Sequence, residues 1–73
     1  MITIQKVWFN NDKIFVELSD QRIVGTPIKW YKNLQKGTLE QREHFEIRGD
    51  YVHWPELDED LGAEGFLTFE PKS

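Results

Sequence analysis

Two histidines and one run of carboxylates are the side chains in this sequence best suited to chemistry. The imidazoles of His44 and His53 change charge near neutral pH and can move protons. A proton-transfer role also needs a nucleophile or a bound substrate within hydrogen-bond reach. Of the two serines, Ser19 sits in a turn-forming stretch and Ser73 is the last residue, and neither occupies a nucleophile elbow. The absence of cysteine removes thiol nucleophiles, thiolate zinc sites and disulfides together. His53, beside Asp58 or Asp60, therefore reads as a hydrogen-bonded structural histidine, and the chain is not expected to be an enzyme.

Asp58-Glu59-Asp60, with Glu56 and Glu64 nearby, is the sharpest polar feature. The plainest role is a turn whose carboxylates cap backbone amides. A second is an acidic interface for a basic partner. A third is an oxygen-rich site for Mg²⁺ or Ca²⁺. The calcium-loop spacing D-x-D-x-D-G is not met, so no metal is expected, and no glycine-rich phosphate loop or dinucleotide fingerprint points to another cofactor. On the functional reading, Glu56, Asp58, Glu59 and Asp60 face a partner protein together with Trp54.

Charge supports that assignment. The net charge is −4, but residues 1–48 hold eight Lys and Arg against six Asp and Glu, while residues 49–73 hold one Lys against seven Asp and Glu. The carboxyl-terminal third is thus expected to form an acidic face, provided that Lys29, Lys32 and Lys36 do not fold across it. Those lysines interleave with Trp30 and Tyr31, the ingredients of single-strand nucleic-acid contact, so Lys29, Lys32, Lys36 and Arg42 form the alternative site. Against it, Trp30, Tyr31 and Leu34 fit one buried stripe, and an overall pI near 5.0 repels phosphate. Nucleic acid is the less favoured partner.

The elements that must hold these residues are short. Seventy-three residues allow one domain, expected over residues 1–70 with a polar tail at 71–73. A core this small supplies on the order of 3–5 kcal/mol. Ten aromatic residues are one means of reaching it, and three tryptophans are too many to bury completely. Ile2 and Ile4 give way to Val7 and Phe9, a change of parity that predicts a bulge near Lys6. Asn10-Asn11-Asp12 is a turn, Ile14, Val16 and Leu18 alternate as a half-buried strand, and Ser19-Asp20 turns into Arg22–Thr26. That is a three-stranded antiparallel meander.

Pro27 ends it, and Trp30, Tyr31 and Leu34 at helical spacing predict about one turn of helix, broken by Gly37. Thr38 and Gln41 form a capping box ahead of a helix from about Leu39 to His44. Phe45–Ile47 and Tyr51–Trp54 flank Gly49-Asp50 as a second hairpin, stopped by Pro55. Leu57–Leu61 reads as an acidic loop in which Asp60 caps a final turn, with Phe66, Leu67 and Phe69 closing the core. The expected fold is α+β: a small antiparallel sheet, made of the meander and a second short hairpin, with one or two short helices packed on it.

The order Thr26-Pro27-Ile28, Trp30-Tyr31, Leu34, Thr38 to Arg42, His53 to Asp60 and Gly65-Phe66-Leu67 resembles the small bacterial family catalogued as domain of unknown function 2442. The stretch from His53 to Asp60 is the most specific part. Lys32 stands where members often carry proline, and Gly37 and Gly62 stand where other small residues are commoner. The resemblance implies a short α+β protein encoded beside another small uncharacterised protein, catalogued as domain of unknown function 4160, in a toxin–antitoxin-like arrangement. Some longer members add a helix-turn-helix domain, and no such segment stands within these residues.

The functional expectation is a non-enzymatic interaction module that binds another small protein, as the antitoxin-like or accessory half of a two-gene unit. The amino terminus lacks a basic segment followed by a long apolar run, and no stretch reaches the roughly 18–20 apolar residues of a membrane span. A cytoplasmic location is therefore expected, with no membrane partner. Edge strands in so small a sheet also leave a symmetric homodimer open.

Overall fold

The computed structural model describes residues 1–68, with no account of the Thr68 side chain. Phe69 of the expected closing cluster and the tail at 71–73 lie outside the described residues. Strands β1 (Ile4–Asn10), β2 (Lys13–Leu18) and β3 (Ile23–Pro27) form an antiparallel meander in the order β1-β2-β3. Ile4 faces Leu18 and Lys6 faces Glu17, so Gln5 is the extra residue of a bulge. The parity change therefore lets Ile4, Val7 and Phe9 all turn inward. Asn11 adopts a left-handed conformation (φ 54°) in the β1–β2 turn, a geometry that asparagine tolerates better than most residues.

A 3-10 turn at Ile28–Trp30 leads into α1 (Lys32–Lys36) and then α2 (Leu39–Glu43). The capping box is complete: the Gln41 amide donates to Thr38 Oγ1 at 3.1 Å, and the Thr38 amide donates to Gln41 Oε1 at 3.0 Å. Strands β4 (Glu46–Arg48) and β5 (Tyr51–Trp54) form the second hairpin around Gly49-Asp50. Gly49 takes φ +65° there. The same turn joins the two sheets, because the Gly49 carbonyl accepts from the Ile4 amide at 2.9 Å and the Asp50 carbonyl accepts from the Ala63 amide at 2.7 Å.

The acidic loop expected at Leu57–Leu61 is a correction. Glu59–Gly62 is a third strand, β6, paired antiparallel to β5, and helix α3 (Ala63–Thr68) follows directly. The second sheet thus has the order β4-β5-β6 rather than two strands, and Asp60 lies within a strand instead of capping a turn. Asp and Glu are poor strand formers, but the propensity is weak against burial of a neighbour such as Leu61, which sits opposite buried Val52. Pro55 ends β5 only to begin the four-residue turn, Pro55 to Asp58, that leads into β6.

The inward faces of both sheets share one core. Ile14, Val16 and Leu18 from the meander meet Val52 and Trp54 from β5, with Ile28, Tyr31 and Leu34 joining them and Ala63 and Phe66 of α3 completing the cluster. Trp8 stays at the surface on the outer face of the meander, stacked on Phe15 across the strands (5.7 Å, 12°). No helix among the described residues is long and apolar enough to cross a membrane.

Candidate functional site

Strand β6 and the turn before it carry all four carboxylates assigned to a partner, but the fold gives each a different position. Glu56 is exposed and its carboxylate hydrogen-bonds the Nδ1 of His44. That hydrogen bond, aided by the Glu56 charge, raises the His44 pKa above its ordinary value. Asp58 is exposed, with φ +52° at the end of the turn, and its carbonyl accepts from the Asn33 amide group at 3.5 Å. Glu59 and Asp60 then alternate. Asp60 pairs across the sheet with His53 on the outer face and hydrogen-bonds its Nδ1. Glu59 sits opposite buried Trp54, on the core side of the strand, and is half-buried.

Trp54 is a correction. It is fully buried, its indole Nε1–H donates to the Arg42 carbonyl at 2.8 Å, and its ring lies 6.0 Å from that of Phe45. It cannot touch a partner in this fold. Because side chains alternate along a strand, Trp54 follows Val52 into the core while Tyr51 and His53 turn outward.

Arg42, in the nucleic-acid alternative, is also committed elsewhere. Its Nε donates to the Leu34 carbonyl at 2.7 Å and its Nη2 to the Gln35 carbonyl at 2.9 Å, so it satisfies the open carbonyl end of α1. Lys29, Lys32 and Lys36 remain exposed, Lys32 and Lys36 one turn apart on α1. Lys29 lines a shallow hollow with Arg42, Asn11 and Gln35, whereas Lys32 borders a different cleft. None of the three lies within ion-pair distance of Glu56, Asp58, Glu59 or Asp60, and among the described residues no Lys or Arg does.

That second cleft was not foreseen from the sequence. It measures about 280 Å³ and opens between Trp30-Tyr31-Lys32 on one side and β6–α3 on the other. Its walls are Tyr31 and Phe66, set edge to face at 5.9 Å, with Trp30 and Leu61 beside them. Glu59 is the carboxylate within it. Burial pushes the Glu59 pKa up, helped by the neighbouring charges of Asp60 and Asp58 and opposed by a hydrogen bond with Asn33. Burial likewise raises the Tyr31 pKa, and the Glu59 charge adds to it.

On the outer face, His53, Asp60, Tyr51 and Arg48 form a shallow polar hollow. Ser19 is remote from it in sequence, in the β2–β3 turn, where its Oγ accepts from the Thr3 amide at 3.0 Å. No group of three His, Asp or Glu side chains among the described residues is placed to hold a metal ion.

The profile of the family described as "Protein of unknown function (DUF2442)" matches residues 4–72, and the chain belongs to that family. Two solved structures share the fold. One is a crystal structure of a protein of unknown function from Rhodospirillum rubrum, 21% identical, with a TM-score of 0.81 over 100% of this chain and 93% of that one. The other is the solution structure of an uncharacterised protein from Chromobacterium violaceum, 24% identical, with a TM-score of 0.79 over 97% of this chain and 69% of that one. No curated protein matches the sequence.

Proposed function

We propose that the chain is a non-enzymatic module that binds another small protein of basic character, as the accessory or antitoxin-like half of a two-gene unit. The observation that carries this reading is the acidic edge built by Glu56, Asp58, Glu59 and Asp60, which no described Lys or Arg neutralises. Histidines are the described side chains that pair with this edge, His44 with Glu56 and His53 with Asp60, and a field of predominantly one sign steers an oppositely charged protein and rejects like-charged ones. Strand β6 adds a second feature: among the described residues it is the last strand of its sheet and pairs only with β5, and the edge of a sheet is a place where an incoming chain can pair.

The test is capture of the full chain from its own host, with the neighbouring gene intact, followed by mass spectrometry. The reading expects a stoichiometric small basic protein that is released as salt rises. The variant Asp58→Asn/Glu59→Gln/Asp60→Asn removes the charge while keeping side-chain size, and should lose most of the capture at low salt. Undiminished capture by this variant refutes the acidic edge as the interface.

A further inference from the structure

The outer face of the meander carries an aromatic pair that the core does not use. Side chains alternate along β1 and β2, so Trp8 and Phe15, opposite each other in the register, turn away from Val7, Val16 and the shared core. Their rings stack nearly parallel, 12° apart with centroids at 5.7 Å, and Trp8 keeps 37% of its surface exposed. Gly25 of β3 lies opposite Phe15. A Cβ there would come within 2.7 Å of the Phe15 ring, so glycine is what lets that ring lean over β3. The row Trp8, Phe15, Gly25 is thus an aromatic shelf across the three strands, on a face that antiparallel sheets ordinarily leave polar when it meets water.

The rows on either side supply charge. Lys6 and Glu17 pair at 3.9 Å in the row before the rings, and Lys13, beside Asn10, stands in the row after them. Both lysines are exposed, and Lys13 has no ion-pair partner among the described residues. Successive rows on one face are about 7 Å apart, so a lysine flanks the rings on each side within its own reach. The nearby carboxylates are Glu17, held by Lys6, and Asp12, in the turn before Lys13. The acidic excess of the chain falls in residues 49–73, and Asp60 points outward from the second sheet, across the shared core. Packed sheets lie about 10 Å apart, beyond the Debye length of about 8 Å at physiological salt, so that charge is largely screened at the shelf.

The size of the face selects its occupant. Three strands and three rows cover roughly 300 Å², against about 800 Å² that each partner gives to a stable protein complex. A second copy of the chain finds too little surface there to hold. A nucleobase needs only a ring face, and every base has one. Exposed rings on an open sheet, flanked by cations for the phosphates, are the means by which single strands are bound with little sequence readout. Trp30 and Tyr31 cannot serve as such a pair, because Tyr31 is buried in the core.

We propose that the outer face of the meander binds a short stretch of single-stranded nucleic acid, with a base stacked on Trp8 beside Phe15 and the adjacent phosphates held by Lys6 and Lys13. The experiment is an NMR titration of the full, isotope-labelled chain with the hexanucleotides oligo-dT and oligo-U and with a blunt DNA duplex, at about 50 mM salt. The Trp8 indole resonance is expected to shift and saturate with either single strand, and the ratio of the two affinities reads the preference for the sugar. The duplex, whose base faces are already covered, should leave Trp8 in place. Trp8→Ala should weaken binding about tenfold, as for the loss of one stacked base, whereas Trp8→Tyr, which keeps a ring, should retain most of it. Lys13→Gln should lower the slope of log K against log salt by about 0.7, the share of one phosphate on a single strand.

An unmoved Trp8 resonance with both strands, equal binding of duplex and single strand, or undiminished binding by Trp8→Ala overturns the proposal. So does a Trp8 shift with cellohexaose and not with the oligonucleotides, which makes the shelf a sugar site, or one that follows the concentration of the chain alone, which makes it a contact between copies. The acidic edge lies on the other sheet, so Asp58→Asn/Glu59→Gln/Asp60→Asn should bind the oligonucleotides as the unaltered chain does, and the failure of either reading is seen separately from that of the other.

Discussion

Replacing Trp54 decides whether that residue belongs to the core or to an interface. The indole is completely buried, donates to the Arg42 carbonyl at 2.8 Å and packs on Phe45. Trp54→Ala would remove a whole buried ring, at about 3–5 kcal/mol. A core of this size supplies only about 3–5 kcal/mol in all. The alanine variant is therefore expected to be unfolded and uninformative about binding. Trp54→Phe is the sharper test, because it keeps a ring in place and removes the donor. Loss of a partner costs about 1–3 kcal/mol for a buried carbonyl, and this one is part-buried, next to a fully buried indole site that Phe fills incompletely. With a urea slope near 1 kcal/mol/M, at the low end for small proteins, the unfolding midpoint should fall by about 1–3 M. Far-ultraviolet circular dichroism is the suitable readout, since the substitution itself alters tryptophan fluorescence. A midpoint that moves by less than about 0.3 M would refute the buried indole and return Trp54 to the surface; a core role also requires Trp54→Phe to affect partner capture only in proportion to the loss of folded protein.

Two further substitutions test separate parts of the fold. The hydrogen bond to Glu56 raises the pKa of His44 from its ordinary 6.5, so this pair contributes stability that is fully present below about pH 6.5 and is lost as pH rises through the folded value. Glu56→Gln should flatten that part of the stability–pH profile, measured by urea unfolding between about pH 5 and 9, and an unchanged slope above 6.5 would show that the pair does not persist in solution. Gly49 has nothing within 4 Å of a would-be Cβ but holds φ +65°, so Gly49→Ala isolates the backbone cost of about 1–2 kcal/mol. The expected result is a Tm lower by about 4 °C or more, and an unchanged Tm would mean that the turn adopts another geometry.

The parts of the fold legible in the sequence were those with local physical causes. The bulge at Gln5 follows from a parity change, the Asn11 turn from tolerance of left-handed geometry, and the start of α2 from the reciprocal bonds of Thr38 and Gln41. Arg42 was illegible because its partners are the carbonyls of Leu34 and Gln35, in a preceding helix, and nothing near Arg42 in the sequence announces them. Trp54 had a usable signal. Alternation in Tyr51-Val52-His53-Trp54 puts it on the same face as Val52, and a tryptophan beside a buried valine belongs in the core when its N–H has an acceptor.

The candidate site was half legible for a related reason. Read as a loop, Glu56, Asp58, Glu59 and Asp60 are four equivalent charges. Read as the approach to a strand and its first two residues, they separate. The pleat sends Asp60 outward to His53 and Glu59 inward beside Trp54, one residue apart in sequence and on opposite faces of the sheet. The acidic run is therefore two surfaces. Asp60 is exposed, where salt screens its charge. Glu59 is half-buried opposite Trp54, where screening is weaker. Single substitutions should divide accordingly: if the proposed partner is captured, Asp60→Asn lowers the salt dependence of that capture, whereas Glu59→Gln, which removes a charge that burial disfavours, leaves the salt dependence unchanged and holds or raises Tm. Equal effects of the two on both measurements would return the segment to an undivided acidic patch.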